Sequence, residues 1–179
     1  MKEELINQLK LDLACGQNRV EGYFGIDIAA GEKVDAVVDL EQYPWPIETS
    51  SAEDIVCNHY IEHVTDLMQF MNEVYRILKP GGKIKFVAPY YTSMRCWQDP
   101  THKHAISEAT FLYYNKEWRT NNKLDHYPID CDFDYSYGYD VDGMWANRSD
   151  EARAFAIKHY FNTVSDIHVT MVSRKTNAT

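Results

Sequence analysis

The sequence has no dense run of lysine and arginine. With a formal net charge of −9 over 179 residues, bulk electrostatics offers nothing to a polyanion, and nucleic acid is disfavoured as a partner. A small molecule, a peptide or a neutral surface fits better. The four cysteines, Cys15, Cys57, Cys96 and Cys131, contain no CxxC pair, which argues against a zinc ribbon. Buried free thiols are ordinary, so a reduced, cytoplasmic compartment is the simplest expectation. The opening MKEELINQLK has no signal-peptide apolar centre. No apolar run approaches a membrane span, so no membrane association is expected. There is no internal repeat and no low-complexity linker. What the chain does have is 45% hydrophobic residues, enough for one domain, residues 1–179, with a real core.

The most informative stretch runs from Leu9 to Ile28. Lys10–Leu13 reads as a strand, Ala14-Cys15-Gly16 as a turn of small side chains, and Tyr23–Ile28 as a second strand closing on Asp27. Ligands of open α/β sheets bind outside the carboxyl ends of strands, where an acid grips ribose hydroxyls. A short helix or arm is expected over residues 2–8. Val34–Leu40 reads as a third strand that also closes on an acid, Asp39. Pro44 and Pro46 around Trp45 mark a loop, and Ile55–Asn58 is a fourth strand. Residues 66–79 carry Leu67, Phe70, Met71, Val74, Ile77 and Leu78 at helical spacing. Thr65 or Asp66 caps that helix, and Pro80-Gly81-Gly82 stops it. Lys83–Ala88 is a fifth strand.

The second half is aromatic; most of the 13 tyrosines follow residue 90. Such rings can box a ligand, surround a cation or form a dimer interface. In Tyr90–His104, His102 and His104 alternate and share a face if extended. They are acid/base or substrate contacts, metal ligands with Asp99, or surface residues without a task. A helix is expected over 107–114, a loop over 115–125, a half-exposed strand over 129–139, and a loop over 140–147. A helix over 149–160 and a last strand over 164–174 complete the chain. Asp130, Asp132 and Asp134 open like a calcium loop but lack its glycine and closing Glu, so a solvated strand face is expected.

The order of these features resembles the class I S-adenosylmethionine (SAM)-dependent methyltransferases, in their compact, type 11-like branch. Asp12 stands for the motif acid, and Ala14, Gly16 and Asn18 take the three glycine places. Asp27, Asp39-Leu40, Glu62-His63 and the Arg76-x-Leu78-Lys79-Pro80-Gly81-Gly82 turn follow in family order. The resemblance implies a Rossmann-like, mainly parallel, doubly wound α/β sheet with shortened early crossovers and an antiparallel C-terminal strand. It implies a cofactor half, 1–89, and a substrate half, 90–179. SAM is the implied cofactor, held by Asp12, Ala14, Cys15, Gly16, Gln17, Asn18, Asp27, Ile28, Asp39, Leu40, Asn58 and His59. Asp27 would take the ribose, and Asp39-Leu40 the adenine. Methyl transfer to a small-molecule or peptide acceptor is implied, with His102, His104 and Tyr91 as candidate bases and no metal. A catalytically silent SAM- or nucleoside-binding subunit is the alternative. A nicotinamide dehydrogenase would need the full glycine set and a long following helix, which the sequence lacks.

Overall fold

The computed structural model describes residues 6–176. Its strands are β1 (Lys10–Leu13), β2 (Phe24–Asp27), β3 (Ala36–Val37), β4 (Ala52–Asn58), β5 (Leu78–Pro89), β6 (Phe133–Val141) and β7 (Val164–Ser173). They form one sheet in the order β3-β2-β1-β4-β5-β7-β6. The first five strands are parallel; β7 runs antiparallel to both β5 and β6. The helices are α1 (Leu67–Ile77), α2 (Met94–Gln98), α3 (Lys116–Asn121), α4 (Gly143–Ala146) and α5 (Asp150–His159), with a 3₁₀ turn at Glu108–Tyr114. No helix among the described residues is long and apolar enough to cross a membrane.

This is the expected α/β sheet, and the early crossovers are shorter still than the sequence suggests. No helix lies between β1 and β2, between β2 and β3, or between β3 and β4. The β1–β2 link is a tight turn and an irregular return. Gly25, in β2, makes that return possible: a Cβ there would stand 2.5 Å from the Lys33 carbonyl and 2.9 Å from Cys15 Sγ. The third strand is cut to two residues. Its expected start is diverted by Asp35, whose carboxylate accepts from Gly25 N at 2.8 Å and pairs with Arg19 at 2.5 Å. Those two partners hold its carboxyl below the usual range, the backbone amide first.

Helix α1 behaves as its pattern predicts. Asp66 is the cap, accepting from Gln69 N, and Phe70, Met71, Val74 and Ile77 are buried. Phe70 lies against Trp45, Tyr60 and Phe86, at ring separations of 5.5, 6.0 and 6.3 Å. Aromatic pairs at these distances add to the area they bury. The Pro80-Gly81-Gly82 segment departs from expectation in one respect. The strand begins at Leu78, which already pairs with Ala52, and the turn is absorbed as an irregularity before Lys83 pairs with Asp54. Gly81 holds φ at +72°, a conformation glycine adopts at no steric cost.

Other expectations are corrected. Residues 116–121 form a helix rather than a loop, because the Asn115 side chain accepts from Trp118 N and caps it. A further short helix, capped by Asp142, interrupts the loop expected over 140–147. Strand β6 starts at Phe133, not Ile129: just before it, the carbonyls of Ile129 and Cys131 are taken by the buried Arg119 guanidinium. Helix α2 carried no periodic signal. The helix or arm expected over 2–8 falls largely outside the described residues; Ile6 forms a parallel bridge with Ile47.

All four cysteines are buried and free. Burial pushes the Cys15 thiol up to about 11 and Cys131 up to about 12, and raises Cys57 and Cys96 as well. Since the thiolate is the nucleophile, a thiol at about 11 is only about one part in a thousand reactive at pH 8. Native protein is expected to resist iodoacetamide at pH 8, with all four thiols labelled in denaturant. Rapid native labelling of any one, read by mass spectrometry, would contradict this burial.

Candidate cofactor cleft and adjoining histidine cluster

The carboxyl ends of β1, β2 and β4, and the segments after β3 and α2, open onto one cleft of about 320 Å³. Its lining includes Ala14, Asp27, Ile28, Asp39, Leu40 and Tyr60, with Val38, Glu41, His63, Thr101 and Lys103 around them. Asp27 and Asp39 therefore face a common space. The order of the sheet puts this cleft beside the β1–β4 pair, where the strand order reverses. That switch point is where open α/β sheets receive ligands.

The β1–β2 turn is held by two carboxylates. Asp12, 2% exposed, accepts from Val20 N at 2.7 Å, and burial raises its carboxyl above the usual range despite that bond. Asp27 accepts from Gly16 N at 2.8 Å through Oδ2 and from Ala29 N at 3.0 Å through Oδ1. A carboxylate offers about four lone-pair directions, so roughly two remain toward the cleft. Ala14 and Gly16 both take positive φ, +56° and +52°, the left-handed region that costs an L-residue about 1–2 kcal/mol. Ala14 thus carries a glycine-type backbone at the first glycine place.

The other residues of the predicted cofactor set are spread around this turn. Cys15 is buried behind it, Gln17 and Asn18 are exposed, and Asn58 is exposed at the end of β4. His59, at φ +53°, lines a separate cavity of about 190 Å³ with Glu62, His63, Arg95, Asp99 and His102. Asp39 Oδ1 accepts from Glu41 N at 2.9 Å, so it caps a turn while lining the cleft. The Leu40 carbonyl takes the Trp45 indole N–H at 3.0 Å, which fixes the cleft wall to the buried loop.

Of the three candidate bases, His102 and His104 line one cavity between α2 and Ala105, and Tyr91 lies apart from them. His104 Nε2 donates to the Val64 carbonyl at 2.8 Å. Tyr91 is partly exposed and lines a cavity with Tyr90, Glu108 and Tyr139. His102 is the one that meets the polar cavity, beside buried Glu62. The segment is zipped onto the turn after β4: Lys103 N and His104 N donate to the Glu62 carbonyl at 2.8 and 3.1 Å, and Lys103 Nζ donates to Thr65 Oγ1 at 2.6 Å. Sequence reasoning passed over Tyr60, Glu41, Thr101 and Lys103 as cleft residues.

A methyltransferase domain model matches residues 11–86. Comparison with curated proteins gives no match. Among solved structures, the chain is similar to a SAM-dependent methyltransferase from Archaeoglobus fulgidus, with TM-score 0.63 and 17% identity over 93% of this chain and 86% of that one. A SAM-dependent methyltransferase from Mesorhizobium loti gives 0.56 and 14% over 94% and 92%. Geranyl diphosphate C-methyltransferase from Streptomyces coelicolor gives 0.54 and 13% over 97% and 76%. At such identities the shared property is the fold. Residues 11–86 match a methyltransferase domain model, and the sheet built around them has the fold of the SAM-dependent methyltransferases to which the chain is similar.

Proposed function

We propose that this chain binds SAM in the 320 Å³ cleft and transfers its methyl group to a small-molecule or peptide acceptor. The observation that carries the reading is the shared cleft of Asp27 and Asp39 at neighbouring sheet edges. Asp27 keeps lone pairs for a ribose diol. Asp39 and the Leu40 backbone stand where an adenine edge would be read, and Ile28, Val38 and Tyr60 supply apolar surface for its faces. The acids, the small-residue turn and the apolar walls fit the groups of an adenosyl sulfonium.

Bound SAM supplies an electrophilic methyl group for in-line displacement. The chain's part is then chiefly alignment. The Ala14–Asn18 turn positions the methionine end, and the Asp27 bonds to Gly16 N and Ala29 N hold that turn against the ribose. An acceptor entering past His63, which lines both cavities, reaches the polar cavity that His59, Glu62, Asp99 and His102 also line. Calorimetry with SAM and S-adenosylhomocysteine is expected to show one equivalent bound, and mass spectrometry of freshly purified protein to show retained nucleoside. No binding of either would remove the reading. Binding without transfer to any class of acceptor would favour the silent-subunit alternative.

A further inference from the structure

We propose that Glu62, His63 and His102 form a binding site for a divalent first-row transition metal ion. Glu62 is 1% exposed, and among the described residues neither of its carboxylate oxygens has a hydrogen-bond partner. A carboxylate buried in that way is costly unless a cation joins it. The nearest basic groups are too far to hydrogen-bond: His59 Nδ1 stands 3.6 Å from Oε1, and His102 Nε2 stands 3.9 Å away. Arg95, on the wall of the same cavity, is taken by Asp166 at 2.5 Å.

The hydrogen bonds behind the two rings prepare them as ligands. His102 Nδ1 is 2.9 Å from the Cys96 carbonyl. A carbonyl only accepts, so Nδ1 carries the proton and Nε2 keeps its lone pair in the neutral ring. That lone pair faces Glu62 Oε1 and Asp99 Oδ2, each at 3.9 Å. Thr101 Oγ1 donates to Asp99 Oδ1 at 2.6 Å and therefore accepts from His63 Nδ1 at 3.0 Å. His63 is left with Nε2 as its lone-pair nitrogen. Rings anchored through one nitrogen to a carbonyl or a carboxylate-linked oxygen are the arrangement that orients metal-binding histidines.

The spacing suits an ion. One donor atom from each of the three residues lies within 4.8 Å of the others. A metal bonded at about 2.0–2.2 Å holds its ligand atoms roughly 3–4 Å apart, so small rotations of His63 and Glu62 complete the set. Two imidazoles and one carboxylate suit zinc, iron(II) or manganese(II) and leave coordination positions open. Glu62 and His102 meet because the Glu62 carbonyl ties residues 103 and 104 to the turn after β4.

The test is titration of chelator-treated protein with Co²⁺, followed by visible absorption and calorimetry, with Zn²⁺ as competitor. One equivalent is expected to bind and to be displaced by zinc. Glu62→Gln and His102→Gln are each expected to weaken binding by about 100-fold. His168→Gln, on an exposed histidine of β7 paired with Asp140 and outside the three-residue cluster, is the control and should bind as the parent does. Circular dichroism checks folding of each variant, and either site variant alone suffices. Absence of saturable binding in the parent, or equal binding in the parent and a folded site variant, overturns the proposal. The readout is the metal itself, so failure here leaves the SAM reading standing.

Discussion

Asp27→Ala is expected to weaken SAM binding by about 2 kcal/mol, roughly 30-fold, with a drop in the melting temperature of the unliganded protein. A hydrogen bond to a charged group contributes about 1.5–3 kcal/mol. Asp27 stands to make its ribose contacts from an atom pair already bonded to Gly16 N and Ala29 N. Removing the carboxylate therefore loses ligand contacts and also frees the turn that carries them. The two effects separate by experiment. If calorimetry shows unchanged affinity while stability falls, Asp27 is a turn-holding residue and the ribose assignment fails. Asp27→Asn sharpens the comparison. The amide keeps one acceptor oxygen but turns an NH₂ toward either a backbone N–H or the ribose. It should lose nearly as much affinity as the alanine variant, because one of the two bonded sides is left facing a donor.

The sheet was largely legible in the sequence because short apolar runs are punctuated by polar residues and turns, and β2 ends on its acid, Asp27. Asp27 and Asp39 mark the ends of two short strand patterns, and the helix from Leu67 announces itself by periodicity and by its Asp66 cap. Less was legible where tertiary hydrogen bonds override local pattern. Val34–Leu40 looks like a full strand, yet Asp35 turns its carboxylate into the Gly25 and Arg19 contacts and leaves two paired residues. Asn115 looks like a loop residue and is a cap. Of the candidate cofactor residues, Ala14, Asp27, Ile28, Asp39 and Leu40 line the one cleft. The role of Asp12 was not legible. Only the folded turn shows that its carboxylate is engaged by Val20 N. Glu62-His63 carried a motif signal, but its pairing with His102 depends on backbone bonds between segments about forty residues apart.

Arg76→Ala is expected to destabilise the fold by about 3 kcal/mol, a fall of roughly 10 °C in melting temperature for a chain of this size. In sequence this arginine belongs to a turn signature; in space it is a clamp. Its guanidinium bonds both oxygens of Glu73, at 2.9 and 2.7 Å, and also the carbonyls of Trp45 and Ile47 and the hydroxyl of Thr49. Glu73 is 8% exposed and accepts from Trp45 N at 2.6 Å. Truncating the arginine leaves a nearly buried carboxylate with one backbone partner, the situation in which a broken ion pair costs most. Because Arg76 itself is partly exposed, the lower end of that range applies. Combining Arg76→Ala with Glu73→Gln should recover about 1 kcal/mol by removing the stranded charge. A double variant no more stable than Arg76→Ala alone would place the cost in the lost carbonyl contacts instead. The clamp also reaches the ligand site. Trp45 carries the Leu40 carbonyl on its indole N–H, and Leu40 is cleft wall. Loosening the loop at 45–49 should therefore raise the dissociation constant for SAM even though no residue of the clamp lines the cleft. Calorimetry well below the variant's melting temperature measures that coupling, and an unchanged constant would confine Arg76 to stability.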